Sequence, residues 1–159
     1  MTDATFEDGA FSDQPLRLGA ETTDDLGVVS ALTQDAVGLA GEISWMPRRR
    51  RAIFLLNRFR WEDKEAAARE GRAFERVRCA LLVDDVLRLK SQGLAANDPD
   101  TVYSVLSIAF EPAEDGAGTL HLTLAGDGVL ALDVECINLQ LVDLTRPWQA
   151  AGAPDHGAD

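Results

Sequence analysis

Thr119-Leu-His-Leu-Thr-Leu-Ala125, Gly126-Asp-Gly128, Val129-Leu-Ala-Leu-Asp-Val-Glu135 is the stretch that decides the fold. Aliphatic residues fall at alternate positions on both sides of a glycine-bounded break, the period of a half-buried strand. The pattern predicts a β-hairpin. With Gly126-Asp127-Gly128 as a three-residue loop closed by a glycine in the left-handed region, Leu124 faces Leu130, Leu122 faces Leu132 and Leu120 faces Val134. The wet face then sets Thr123 against Ala131, His121 against Asp133 and Thr119 against Glu135. A two-residue loop would place Leu122 beside Asp133 and bury charge, so the three-residue loop is preferred.

Working outward, Val102, Leu106, Ile108 and Phe110 form the inner face of a preceding strand, joined to the hairpin by a turn over 112–118. Further upstream, Val77, Cys79, Leu81, Val83, Leu87 and Leu89 share one parity, and Arg76, Arg78, Arg88 and Lys90 share the other. This is one long strand, or two collinear ones, interrupted at Asp84-Asp85. A tight hairpin there would set Leu81 against Arg88 and is excluded on parity. Residues 52–59 form a strongly apolar strand, and 62–71, charged and alanine-rich, a surface loop or a turn of helix. Ile43 and Trp45 alternate with Glu42 and Ser44. Thr22, with Asp25 three positions on, marks the start of a helix over 24–37 that Gly38 ends. Residues 15–19 read as a short strand. Downstream, Ile137, Leu139 and Leu141 are out of step with Val134 and Cys136, which fits a strand after a β-bulge. Val134, Ile137, Leu141 and Leu144 also fit a helical stripe.

These elements predict an α+β domain, a mostly antiparallel curled sheet or partial barrel of six or seven strands with one N-terminal helix. A pleckstrin-homology-like roll has a matching strand count. The globular domain spans 15–148, flanked by disordered tails at 1–14 and 149–159. Trp45, Trp61 and Trp148 read as packing residues at strand ends.

The chain has 159 residues, 46% of them hydrophobic, and a net charge of −12. That length supports one domain with a real core. The acidic balance disfavours nonspecific binding to nucleic acid or anionic membrane. No apolar run approaches the ~20 residues of a membrane helix. The N-terminal residues carry neither a secretory nor a transit signal, which points to the cytoplasm. Cys79 alternates with core residues and Cys136 continues the apolar parity of the hairpin. Neither belongs to a Cys-x-x-Cys pair, so no disulfide or reactive thiol is expected.

Charge is unevenly spread. Residues 48–78 hold eleven Arg or Lys against five Asp or Glu, a net of +6, and the remainder carries −18. Arg48, Arg49, Arg50 and Arg51 sit at a predicted hairpin tip, with Arg58 and Arg60 beyond. Arg76, Arg78, Arg88 and Lys90 share a strand face. Converging, these side chains would bind carboxylates or phosphates. Alternatively they pair with the chain's own acids, or guard an exposed edge strand. The expected His121–Asp133 neighbours form a second candidate, an acid–base element or a plain cross-strand ion pair. The sequence calls for no metal and no cofactor: no ligand cluster has metal spacing, and nucleotide-binding and nucleophile motifs are missing.

Leu32-Thr-Gln-Asp-Ala-Val37, Leu56-Asn-Arg-Phe59 with Trp61, Phe74-Glu-Arg-Val77, and Val134-Glu-Cys-Ile137 with Asp143-Leu144 and Pro147-Trp148 together resemble the mainly alphaproteobacterial domain-of-unknown-function 2948 family. The resemblance spans about 16–148. It implies a compact bacterial cytoplasmic domain and transfers no activity, cofactor or catalytic residue. The leading expectation is a non-enzymatic interaction or scaffold domain that holds an acidic protein partner, or itself, through its arginines. An anionic-ligand binder or enzyme using the arginines with His121 and Asp133 ranks second. An RNA-binding module ranks third.

Overall fold

A computed structural model describes residues 15–94 and 98–154. The sequence assigns 1–14 and the end of the chain to disordered tails; residues 1–14 and 155–159 lie outside the described residues. In chain order the elements are β1 (Arg17–Ala20), α1 (Thr23–Leu32), β2 (Val37–Leu39), β3 (Ile43–Met46), β4 (Arg51–Phe59), α2 (Lys64–Glu70), β5 (Glu75–Val83), β6 (Val86–Gln92), β7 (Val102–Pro112), β8 (Gly118–Leu124), β9 (Val129–Val134), β10 (Leu139–Asp143) and β11 (Trp148–Gln149). The strands form one antiparallel sheet in the order β1-β10-β5-β4-β2-β7-β8-β9-β6. β3 pairs with β4, and β11 with β5, off this path. The class is α+β with a mostly antiparallel sheet, as expected, and the sheet is not closed into a barrel. Among the described residues the sheet has eleven strands rather than six or seven, and there are two α-helices rather than one. The additional strands are mostly pieces of two to four residues, too short to show a period.

One face of the sheet encloses the core. Phe54, Leu56, Leu81, Leu120, Leu122, Leu132, Leu139 and Leu141 are all fully or almost fully buried there. α1 closes the core by burying Leu26, Val29 and Leu32 and packing against β7 and β1. Thr22 caps it as the sequence predicts, its Oγ1 accepting from the Asp25 N–H at 3.1 Å. The helix ends at Leu32, not at 37. Thr33 Oγ1 donates back to the Val29 carbonyl, and Asp35 takes a positive φ of 65°, which turns the chain into β2. Gly38 then allows the Tyr103 ring to cross it, because a Cβ would lie 2.7 Å from Tyr103 Cζ.

The hairpin of β8 and β9 keeps its predicted faces but not its register. Leu122 pairs with Leu130, Leu120 with Leu132 and Gly118 with Val134, a slip of two residues from the three-residue loop. A two-residue slip preserves parity, so the leucines stay inside in either register. The turn decides between them. Gly126 and Asp127 both take positive φ, and the Ala125 N–H donates to Ser104 in β7 rather than across the hairpin.

β5 and β6 are two strands that do not pair with each other, consistent with the parity argument against a hairpin at Asp84-Asp85. They lie with β4, β2, β7, β8 and β9 between them in the sheet order. Residues 139–143 are a strand, not a helix. Residues 62–71 include α2, preceded by a single 3₁₀ turn.

Candidate partner-binding surface

The ten basic candidates divide into three settings. Arg58 lies inward, in step with Ala52, Phe54 and Leu56, and is 0% exposed. Its Nε donates to Asp143 Oδ1 at 3.0 Å and its Nη2 to Asp143 Oδ2 at 2.9 Å. Nη1 and Nη2 also reach Glu62 Oε1 and Oε2 at 2.9 and 2.8 Å. Burial alone would lower the Arg58 pKa, but these charged hydrogen bonds outweigh it and raise it. Burial likewise pushes Glu62 up, and the Arg58 hydrogen bonds more than reverse this, leaving its carboxyl below the usual range. Asp143 Oδ2 also accepts from the Leu16 N–H at 3.2 Å. Arg58 therefore ties β4 to β10, to the chain entering β1 and to the turn before α2. It is structural, not part of a binding face.

The second set is paired on or near the surface. Arg60 pairs with Glu75, and Arg78 Nη2 meets Glu42 Oε2 at 2.9 Å. Arg76 donates to the Asn57 carbonyl and lies 6.0 Å from the Phe59 ring centroid. Arg51 Nε meets Asp84 Oδ1 at 2.7 Å, and Arg88 Nε lies 3.4 Å from Asp133 Oδ2. The single basic strand face does not form: Arg76 and Arg78 stay on β5, and the bend at Asp84-Asp85 carries Arg88 and Lys90 to β6. Own-chain pairing thus describes most of these residues.

The third set is Arg48, Arg49 and Lys90. All three are exposed, and none of their side chains makes a hydrogen bond or ion pair with a described residue. Pro47 starts a single 3₁₀ turn through Arg49, and Arg50 closes it in the left-handed region at φ 53°. Arg50 itself belongs to the second set, its side chain pairing with Glu135.

This turn stands at one end of an open seam. β3 pairs only with β4, and β6 only with β9, so the two present free edges among the described residues. At the arginine end the seam is closed by the Val86 N–H donating to the Arg50 carbonyl at 2.9 Å. Further along lies a cavity of about 260 Å³ lined by Ala40, Ile43, Leu89, Ser91, Leu94 and Leu130. None of the arginines, and not His121, lines it.

His121 and Asp133 are not opposite each other. His121 faces Ala131, and its Nε2 lies 3.1 Å from Glu111 Oε1. Asp133 faces Thr119, whose hydroxyl donates to Oδ1 at 2.9 Å. The two-residue register slip removes the predicted pair. Cys79 is buried, and burial pushes its thiol up to about 12. Cys136 is exposed rather than inward, and partial desolvation together with Asp85 raises its pKa. Neither is an activated nucleophile. Trp45 and Trp61 pack against the core, but Trp148 is 41% exposed. No helix among the described residues is long and apolar enough to cross a membrane. Sequence reasoning missed the Arg58–Glu62–Asp143 cluster, although the inward parity of Arg58 and the i,i+4 spacing to Glu62 were both visible.

Fold and surface together define an α+β domain whose rolled antiparallel sheet stays open along one seam, beside an arginine turn. The chain belongs to the family described as Protein of unknown function (DUF2948), whose profile matches residues 16–156. No curated protein and no solved structure matches it.

Proposed function

We propose that the protein is a non-enzymatic interaction domain of the cytoplasm that holds an acidic protein partner at the arginine turn. The observation that carries this reading is the contrast in pairing. Most candidate arginines are matched by the chain's own carboxylates, whereas Arg48 and Arg49 project from a turn with no such match among the described residues. Unpaired guanidiniums on a chain of net charge −12 are a local inversion of sign, suited to steering and orienting an acidic surface. The enzyme reading loses support because neither His121 nor any of the arginines lines the cavity.

The test is an Arg48→Glu/Arg49→Glu variant of the full chain, tagged and purified at low salt from its own cells. The variant should lose a salt-sensitive partner that the native chain retains, with its melting temperature within a few degrees of native. A partner held equally by both would overturn the reading. A partner identified as a second copy of the chain, lost in the variant, would assign the turn to self-association instead.

A further inference from the structure

We infer that the open seam between β3 and β6 is a strand-addition site for an extended acidic peptide of a partner protein. This rests on the interaction reading and adds its mode of binding.

The edge comes first. β6 runs from Val86 to Gln92; beyond Val86, whose N–H is taken by the Arg50 carbonyl, only its β9 side is paired among the described residues. The six residues from Leu87 to Gln92 still reach the common strand length of about 5–6. A free edge of that length presents a row of backbone donors and acceptors, the template that strand-adding peptides use.

The cavity comes second. Its volume of about 260 Å³ is below the roughly 300–1,000 Å³ of small-molecule sites, and its walls are mainly aliphatic. It suits side chains from an inserted strand better than a cofactor. Leu89 and Ser91 of β6 line it. Arg88 and Lys90 alternate with them and lie on the opposite face, across from Asp133 and Ala131. A strand added to β6 has the same period of two. It would set apolar side chains toward Leu89 and Ser91 and acidic ones beside Arg88 and Lys90, as favourable cross-strand neighbours. Arg48 and Arg49 stand at the end of the seam nearest Val86, where further acids of the peptide would meet them.

Charge selects the occupant. Two copies of a chain carrying −12 repel, which disfavours edge-to-edge pairing of this protein with itself. The competing account is that Arg88 and Lys90 only guard the edge against such pairing.

The experiment selects a random peptide display library on the full native chain. The strongest enriched sequence is then synthesised in two forms, one unmodified and one with alternate backbone amides N-methylated. The expected sequence alternates acidic and apolar residues. The unmodified peptide should slow amide exchange across β6 at least tenfold. N-methylation, which keeps every side chain but blocks ladder hydrogen bonds, should weaken binding at least tenfold. Ser91→Phe, which fills the cavity from an exposed position, should weaken it without unfolding the chain. Failure to enrich an alternating sequence, equal binding of the N-methylated form, or protection mapping away from β6 would each overturn the inference. Dimerisation of an Arg88→Ser/Lys90→Ser variant with no loss of peptide affinity would assign those two residues to edge protection and overturn their part in it. The two readings fail separately. Binding that survives Arg48→Glu/Arg49→Glu but not N-methylation removes the arginine turn and keeps the seam. The reverse pattern removes the seam and keeps the turn.

Discussion

Arg58 and the Arg48-Arg49 pair lie about ten positions apart along one turn and strand, yet they meet opposite environments. Arg58 is fully buried and holds two carboxylates, Glu62 and Asp143. Arg48 and Arg49 project from the turn with no partner among the described residues. Composition treats them alike. Parity separates them: Arg58 falls in step with Ala52, Phe54 and Leu56, and the turn residues belong to no strand face. A cluster of arginines is therefore not one feature, and each must be assigned by the face on which its backbone sets it.

The largest expected effect tests the buried half of the comparison. Arg58→Ala leaves Asp143 enclosed without its guanidinium partner and leaves Glu62 to the more distant Arg60, 3.7 Å away. Breaking a buried pair in this way costs about 3–5 kcal/mol. Urea unfolding measures it, and a loss below about 1 kcal/mol would show that the cluster is loosely hydrated and that the contrast with the turn is overstated.

The same cluster predicts a pH dependence. The Glu62 carboxyl is lowered in the folded chain, because hydrogen bonds and charge from Arg58 overcome its burial. A group lowered on folding stabilises fully above its unfolded pKa, about 4.3 for Glu, and loses that contribution as pH falls through the folded value. Stability should drop as pH is lowered below about 4, and Glu62→Gln should flatten the drop. Parallel curves for the two proteins would mean that other carboxylates carry the acid sensitivity.

How much of this was legible follows from the range of each interaction. The leucine alternation of β8 and β9 identifies the hairpin and its inner face from a short window. It cannot choose between registers two residues apart, since both bury Leu120, Leu122, Leu130 and Leu132. That choice depends on the bond from Ala125 to Ser104 in another strand, and it determines whether His121 meets Asp133 or Ala131. In the same way, Glu62 is four residues from Arg58 and could be read as its partner. Asp143 lies 85 residues away and is brought there only because β10 neighbours β5. The seam was least legible: it exists because, among the described residues, β3 and β6 pair on one side each, a property of sheet order that no local pattern carries.

The smallest expected effect tests the exposed half. Arg51 is half-buried against Asp84, and Arg51→Ala should cost roughly 0.2–1 kcal/mol as a single partly exposed ion pair. Arg48→Ala and Arg49→Ala should each change stability by no more than about 0.5 kcal/mol in either direction. A small gain is the expected sign at low salt, because the turn crowds Arg48, Arg49, Arg50 and Arg51 together and removing one charge relieves repulsion. Raising ionic strength should shrink that gain, since exposed charges are screened over about 10 Å at 0.1 M salt. Unfolding curves at low and high salt measure both. A loss above about 1 kcal/mol that persists in high salt would make Arg48 and Arg49 structural like Arg58 and would leave the arginine turn no surplus charge to offer a partner. A change that is small and fades with salt would leave their charge free for an acidic surface outside the chain.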